Sequence, residues 1–494
     1  MCERREVLDL ADGRQTTRAH RALERRAEAS AARLAGGAAD AAIPAELVER
    51  EVRRLGAELA VHGAVLAGEQ EQVVRRACSD ARLVVVVGQA GTGKSTALAG
   101  VVRAHQAVGR EILVTSTGAQ AAERLAAELA ERGAVADGYS TAALQAAVER
   151  GAVTLGRNVT IVHDEAALAS TREHEWLLGA AAGSGARVVA VGDPRQSQAV
   201  GAAGLWPAIE RAAGERGARV ELERIVRARD GADRRDQRLW RAGEHERALA
   251  GYAQRGRILV EERQALAEDR ALEAAHADRQ AGRSTLVVVQ TKQRASRRVN
   301  SRAQALRIQD GELGERGVAL RERPYQLHVG DELVLRAAST HPELGAVRNG
   351  TRGRVLDVSR GGQSAVLQLG DGREAAWERE QLDAGSARLG YVSHTFPAQG
   401  QTVDRAHVIA DRLADAHGTY VALTRAREHT HLYASTERLH DDDTAEKRST
   451  SDDPRAVPAA QAIARLAEQL GRAELEIPSN LDPARTRTSG SGRA

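Results

Sequence analysis

The stretch Leu83-Val-Val-Val-Val-Gly-Gln-Ala-Gly-Thr-Gly-Lys-Ser-Thr96 decides how the rest of the chain is read. Leu83 to Val87 is an apolar, mostly β-branched run, the pattern of a strand buried on both faces. Gly88, Gly93, Lys94 and Ser95 then fit G-x-x-x-x-G-K-[ST], and the Ala-rich stretch 97–108 predicts a helix. A glycine-rich loop between strand and helix is a phosphate cradle. Its glycines let backbone N–H groups turn toward phosphate oxygens, with the positive end of the helix behind them. Gly88, Gly91, Gly93, Lys94, Ser95 and Thr96 are therefore the expected nucleotide-binding set. Lys94 would reach the β- and γ-phosphates, and Ser95 would ligate Mg²⁺.

Composition sharpens this. Of 71 basic residues only Lys94, Lys292 and Lys447 are lysines. A chain so biased toward arginine has placed a compact ammonium where a phosphate loop uses one. The length of 494 residues allows two to four domains. Only 2% of residues are aromatic, so aliphatic packing must carry the cores. A net charge of +3 and a pI of about 9.0 permit a polyanionic partner without requiring one. Cys2 and Cys78 are the only cysteines, which excludes a disulfide framework or a cysteine zinc site and fits a reducing cytoplasm. No apolar run approaches the roughly 20 residues that span a bilayer, so a cytoplasmic protein with no membrane partner is expected.

Along the chain, residues 1–65 are rich in Ala, Arg and Glu and read as a helical N-terminal region. Gln70, in a short helix leading into the phosphate-loop strand, is placed to read an adenine edge; a plain surface glutamine is the alternative. Strands at Glu111–Thr115, Val159–Val162 and Ala186–Val191 alternate with helices, which implies a parallel sheet with ligands at the strand C-termini. This first α/β domain is assigned to 66–245. A second occupies 246–325 and 386–436, with a strand at Ser284–Val289 followed by a helix. Between 326 and 385 short alternating strands with Gly, Asp and Asn turns predict a small inserted β-barrel. Residues 437–494 read as a flexible tail around one helix, at about 455–473.

The chemistry sits at the strand ends. Asp164-Glu165 closes an apolar strand; Asp164 would hold Mg²⁺ and Glu165 would polarise the water that attacks the γ-phosphate of ATP. Gln196, in Gly192-Asp193-Pro194-Arg195-Gln196, is placed to sense the γ-phosphate or that water, and Asp193 to orient the loop. Hydrolysis also needs positive charge on the far side of the γ-phosphate, which a two-lobed motor takes from its second lobe. Arg227 and Arg425 are the candidates, although spacing alone does not single them out. His429-Thr430-His431 has the spacing of a metal pair, but a strand there would simply set both histidines on one sheet face.

Gly88–Thr96, Thr115–Gly118, His163–Ala166, Gly192–Gln196, Tyr391–Asp404 and Tyr420–Arg427 occur in the order and spacing of superfamily 1 DNA helicases. The chain resembles the RecD-like group, and within it the helicase part of conjugative relaxases of the TraA/TrwC type. Val329-Gly-Asp-Glu-Leu-Val and Arg348-Asn-Gly-Thr-Arg-Gly-Arg-Val resemble that group's inserted SH3-like barrel. The resemblance covers roughly 66–434. It implies an α/β fold of two RecA-like domains with parallel sheets, and an ATP- and Mg²⁺-dependent motor on single-stranded DNA, usually 5′→3′ in this group. Lys94, Glu165, Gln196, Arg227 and Arg425 take the catalytic roles. Thr117, Thr141, Thr291, Gln399, Gly400 and Thr402 would line the DNA track, with contacts that ignore sequence.

Some positions depart from the group's pattern. Phe396-Pro397 stands where His-Lys is usual before Gln399-Gly400; Phe396, the chain's one phenylalanine, has either a base or the core to pack against. Ser197 replaces a leucine and Ala228 a frequent glutamine. Residues 1–80 offer His20 and His62 and no tyrosine, so the relaxase nuclease has no match there. A separate relaxase or another DNA-processing protein is then a candidate partner. The competing reading is a DNA-binding ATPase or loader that does not unwind, a remnant of a longer relaxase.

Overall fold

A computed structural model describes residues 7–9, 15–38, 42–196, 204–290, 293–321, 323–411, 414–439 and 459–471. Thr291, Lys292 and Ser197 lie outside the described residues. The chain is α/β and divides into two compact units, with the changeover between Arg227 and Ala228.

The first unit is built on a six-stranded parallel sheet. Its order across the sheet is Asp137–Ser140, Glu111–Ser116, Val159–His163, Arg187–Gly192, Leu83–Gly88 and Arg219–Leu222. The central strands are buried throughout because helices cover both faces, which is why they read as unbroken Val/Ile/Leu runs. The N-terminal helices Arg18–Gly36 and Ala45–Ala60 are not an appendage. Ala27, Ala31, Leu34, Val48, Val52 and Leu55 enter the same core as the sheet. The salt bridge of buried Glu51 to buried Arg103 (2.8 Å) ties the second of them to the phosphate-loop helix Lys94–Gln106.

The second unit carries a five-stranded parallel sheet in the order Val392–His394, Thr285–Val289, Val403–Ile409, Ala426–Ser435 and Ile258–Glu261. Helix Gly231–Arg241, expected from sequence in the first domain, belongs to this unit together with His245–Gln254. Inserted in it is a five-stranded antiparallel sheet: Glu374–Glu378, Ser364–Leu369, Arg352–Val358, Glu332–Leu335 and Ala387–Leu389. One core of Leu333, Leu335, Val355, Leu367, Trp377 and Leu389 fills it, and the hairpin Gly317–Ala319/Gln326–His328 adds Val318 and Leu327 to that core. The insertion is therefore wider than 326–385 on both sides. The tail's helix, Ala459–Gly471, is docked: Ala462, Leu466, Ala467 and Leu470 are buried, and Gln469 Nε2 donates to the Asp411 carbonyl at 2.8 Å. Of the tail expected at 437–494 around one helix, the described helix Ala459–Gly471 is therefore packed.

Candidate active site in the first unit

The loop 88–93 turns back on itself through Gly91 (φ 78°) and Gly93 (φ 75°), left-handed positions that glycine occupies at no steric cost. Gly88 is required for a different reason: a Cβ there would lie 2.6 Å from Lys94 Cδ. Lys94 opens the helix Lys94–Gln106, and Ser95 and Thr96 follow in its first turn. Among the described residues the backbone N–H groups of Gly91, Thr92, Gly93, Lys94 and Ser95 meet no acceptor. Five unspent donors converging at a helix N-terminus fit a polyphosphate. Lys94 Nζ donates to the carbonyls of Gly88 (2.9 Å) and Gln89 (3.2 Å), folded along the loop it would release for a phosphate. Burial pulls its ammonium below the usual lysine range, against the opposing fields of Asp193, Asp164 and Glu165. The strands that lead into Asp164 and Asp193, Val159–His163 and Arg187–Gly192, lie side by side next to Leu83–Gly88, so these acids and the loop share the C-terminal edge of the sheet.

Asp164 and Glu165 follow the buried strand Val159–His163, and the Asp164 N–H donates to the Thr115 carbonyl at 2.8 Å. Glu165 has φ 52°, a left-handed conformation unusual for a residue with a side chain. The Leu168 N–H holds the Glu165 carbonyl at 2.8 Å, and Arg124 lies 3.7 Å from its carboxylate. Asp193 is buried and accepts from the Arg195 N–H (3.1 Å) and Gln196 Nε2 (3.2 Å), so it orients the loop that carries Gln196.

Arg227 is brought to the loop by its backbone. The N–H groups of Val226 and Arg227 both donate to the Gly91 carbonyl, at 2.8 and 3.0 Å. Gln70 is buried and its amide is committed: Oε1 accepts from the Ala67 N–H (2.9 Å), and Nε2 donates to the carbonyls of Thr92 (3.0 Å) and Gly93 (3.3 Å). It braces the phosphate loop from behind, where the sequence suggested a base-reading amide. Neighbouring Glu69 accepts from the N–H groups of Glu223 (3.0 Å) and Arg224 (2.7 Å). Sequence reasoning missed Glu69 and Arg124; an acid on a polar helix and one arginine among many carry no signal of their own.

The expected DNA residues fall at strand ends. Thr117 follows Glu111–Ser116, and buried Thr141 shares a hydrogen bond with Thr115 Oγ1 at 3.4 Å and donates to the Ser116 carbonyl at 3.2 Å. In the second unit Gln399 is buried and Gly400 (φ 77°) makes the turn before Thr402 and the strand Val403–Ile409. Phe396 is 49% exposed, which decides against the core role. Arg425 is buried in its own unit: Nε donates to the Val421 carbonyl (2.6 Å), Nη2 to Thr424 Oγ1 (2.9 Å) and Nη1 to the Gln401 carbonyl (3.5 Å). His429 and His431 lie in the strand Ala426–Ser435, and His431 stacks on His407 at 5.7 Å. Asp230 and Asp233 come near His429, but Arg257 and Arg255 already pair with them, which disfavours a cation there.

Residues 65–263 match the AAA domain family. The chain is similar to the conjugal transfer protein TraA of Agrobacterium fabrum, with 30% identity over 380 residues, 77% of this chain and 33% of the relative. TraA of Rhizobium radiobacter is 29% identical over 75% of this chain and 32% of its own length. The chain thus spans about a third of the length of the curated relatives it matches. Among solved structures, a Pif1 helicase from Bacteroides with ADP-AlF3 and single-stranded DNA covers 75% of this chain and 92% of its own, at 15% identity and a TM-score of 0.47.

Proposed function

We propose that this chain, whose residues 65–263 match the AAA domain family, is an ATP-driven superfamily 1 helicase on single-stranded DNA that serves conjugative transfer or DNA recombination and repair. The observation that carries the reading is the convergence, on one sheet edge, of unspent loop N–H groups, Lys94, the Asp164-Glu165 pair and Gln196. The loop amides would cradle the phosphates, and Lys94 would leave the Gly88 and Gln89 carbonyls for them. Glu165 would accept the proton of the attacking water, which Gln196, steered by Asp193, orients. Ser95 and Asp164 offer the hard oxygen donors that suit Mg²⁺, which when bound offsets the charge of the β- and γ-phosphates. Arg227 and Arg425 are the proposed arginines of the hydrolysis step. Thr117, Thr141, Thr291, Gln399, Gly400 and Thr402 are the proposed DNA track. The similarity to the TraA proteins supports conjugation as the setting, with a relaxase or another DNA-processing protein as partner. No helix among the described residues is long and apolar enough to cross a membrane.

The test is unwinding of a duplex with a 5′ tail against one with a 3′ tail, in ATP and Mg²⁺. Unwinding of the 5′-tailed substrate alone is expected, together with ATP turnover that rises on adding single-stranded DNA. A turnover indifferent to nucleic acid overturns the motor. The Phe396-Pro397 pair motivates a second reading, a DNA-binding ATPase that does not unwind; DNA-stimulated hydrolysis without strand displacement would select it.

A further inference from the structure

One ion pair inside the first unit joins the acidic turn to a helix that the nucleotide loop does not use. Arg124 Nη2 lies 3.7 Å from Glu165 Oε1, and the two side chains are 35% and 17% exposed, so water screens the pair only in part. Arg124 sits in the middle of helix Ala119–Ala130, whose apolar side, Ala122, Leu125 and Leu129, is buried in the core. A shift of that packed helix carries the guanidinium with it.

Both threonines expected to face DNA in this unit bear on the same helix. Thr117 leads into it through Gly118, whose carbonyl accepts from the N–H groups of Ala121 (3.1 Å) and Ala122 (3.2 Å). Thr141 reaches it from the other side. It follows the strand Asp137–Ser140, which lies so close to the helix that a Cβ on Gly138 would stand 3.0 Å from the Ala122 carbonyl oxygen and 3.2 Å from the Glu123 nitrogen. Those are the two residues before Arg124. Thr141 Oγ1 also donates to the Ser116 carbonyl at 3.2 Å and lies 3.4 Å from Thr115 Oγ1, while the Thr115 carbonyl accepts from the Asp164 N–H at 2.8 Å. One strand end therefore borders Thr141 on one side and the acidic turn on the other.

The backbone of that turn is held, since the Glu165 carbonyl accepts from the Leu168 N–H at 2.8 Å. The side-chain pairing is the part that a helix shift alters. A carboxylate facing a guanidinium is a weaker proton acceptor than a free one and is drawn toward the cation, which restrains any group that must take a proton from water. A phosphate beside Thr117 would meet the positive end of helix Ala119–Ala130, so strand binding acts on the helix that carries Arg124.

We propose that Arg124 is a positioning residue that restrains Glu165, and that a nucleic-acid strand seated on Thr117 and Thr141 lifts the restraint by shifting helix Ala119–Ala130. The proposal rests on the reading above of Glu165 as the base and of these threonines as DNA contacts. It makes the DNA dependence of ATP turnover a property of one ion pair within the first unit.

The experiment measures ATP turnover of the full-length chain without DNA and with saturating oligothymidylate, for the wild type, Arg124→Gln and Arg124→Lys. Arg124→Gln should raise the DNA-free kcat by about three- to tenfold at an unchanged KM for ATP. Its DNA-saturated rate should stay close to wild type, so the stimulation ratio shrinks by the same factor. Arg124→Lys keeps the charge and should hold the ratio close to wild type. Arg124→Met, which keeps the aliphatic stem without the charge, reads the same ratio if the glutamine variant melts early. A DNA-free rate no higher than wild type in both uncharged variants overturns the restraint and leaves the motor reading intact, and so does a rise of equal factor with and without DNA. A lysine variant as fast as the glutamine one without DNA assigns the effect to packing and overturns the restraint too. Wild-type turnover indifferent to the oligonucleotide overturns the motor reading and the restraint together.

Discussion

The backbone N–H of Arg227 donates to the Gly91 carbonyl at 3.0 Å, which makes the phosphate loop and the segment bearing that arginine one mechanical piece. Helix Gly68–Ala77 clamps both, Gln70 from the loop side and Glu69 from the Glu223-Arg224 side. A Cβ on Gly91 would sit 2.7 Å from Arg227 Cβ, at a φ of +78° that alanine adopts only under strain. Gly91→Ala should therefore cost about 1–3 kcal/mol of stability and raise the KM for ATP severalfold. Thermal melts and ATP titration check it; an unchanged melt and KM would refute the coupling.

Lys94 makes its contacts with two loop carbonyls and none with a carboxylate. Removing a partly buried ammonium that burial already disfavours should hardly change stability. Lys94→Ala should instead cut ATP hydrolysis by about 100-fold or more, because charge stabilisation at the transferring phosphate is lost. ATPase assays beside a melting curve separate the effects. Hydrolysis that survives in a folded variant would move the site elsewhere.

Glu165 separates stability from activity most cleanly. Its left-handed conformation (φ 52°) costs a residue with a Cβ about 1–2 kcal/mol, which glycine does not incur. Glu165→Gly should thus melt no lower than the wild type while hydrolysis falls by about 10²–10⁴-fold with loss of the general base. A drop in both would mean that the carboxylate's bond with Arg124 is the structural contribution that matters.

The parts legible in the sequence were those whose chemistry is local. Glycine spacing, a buried valine run and an acidic pair at a strand end each fit within a dozen residues, so the loop and the parallel strands beside it could be read directly. The N-terminal helices could not. Ala27, Ala31 and Leu34 form an apolar stripe, yet its partners include Leu177, Leu178 and Ala181, far along the chain, and an Ala/Arg/Glu composition looks solvated without them. The pairing of Gln70 is hidden for a related reason: both halves of its amide are spent on backbone groups, one of them over twenty residues away.

Behind the Asp164-Glu165 turn two buried imidazoles, His163 and His174, meet edge to face at 5.6 Å. Burial pushes them down to about 3 and about 4 respectively. Their folded pKa values lie below the unfolded value near 6.5, so their contribution to stability is complete above pH 6.5 and is lost as pH falls through the range down to about 4. Each should add up to about 1.4 kcal/mol of lost stability per pH unit in that window. Urea unfolding at pH 7, 6 and 5 should show a steeper fall for the wild type than for His163→Asn/His174→Asn. Parallel slopes would show that the two rings titrate alike in both states.

Arg425 is where a structural and a catalytic role must be told apart. Its guanidinium is buried and donates to Val421, Thr424 and Gln401 within its own unit. Arg425→Ala leaves those acceptors without their charged donor, at a cost of about 1.5–3 kcal/mol per lost bond at most, and should lower the melting temperature visibly. Arg425→Lys keeps the charge and can reach one or two of the same acceptors, so it should recover most of that stability. If Arg425 also stabilises the transferring phosphate, the lysine variant will still hydrolyse ATP about 10³-fold more slowly, because the planar fork is gone. Its affinity for single-stranded DNA should remain that of the wild type. A stable Arg425→Lys chain with full ATPase activity would leave Arg425 a purely structural residue and pass the catalytic role to Arg227.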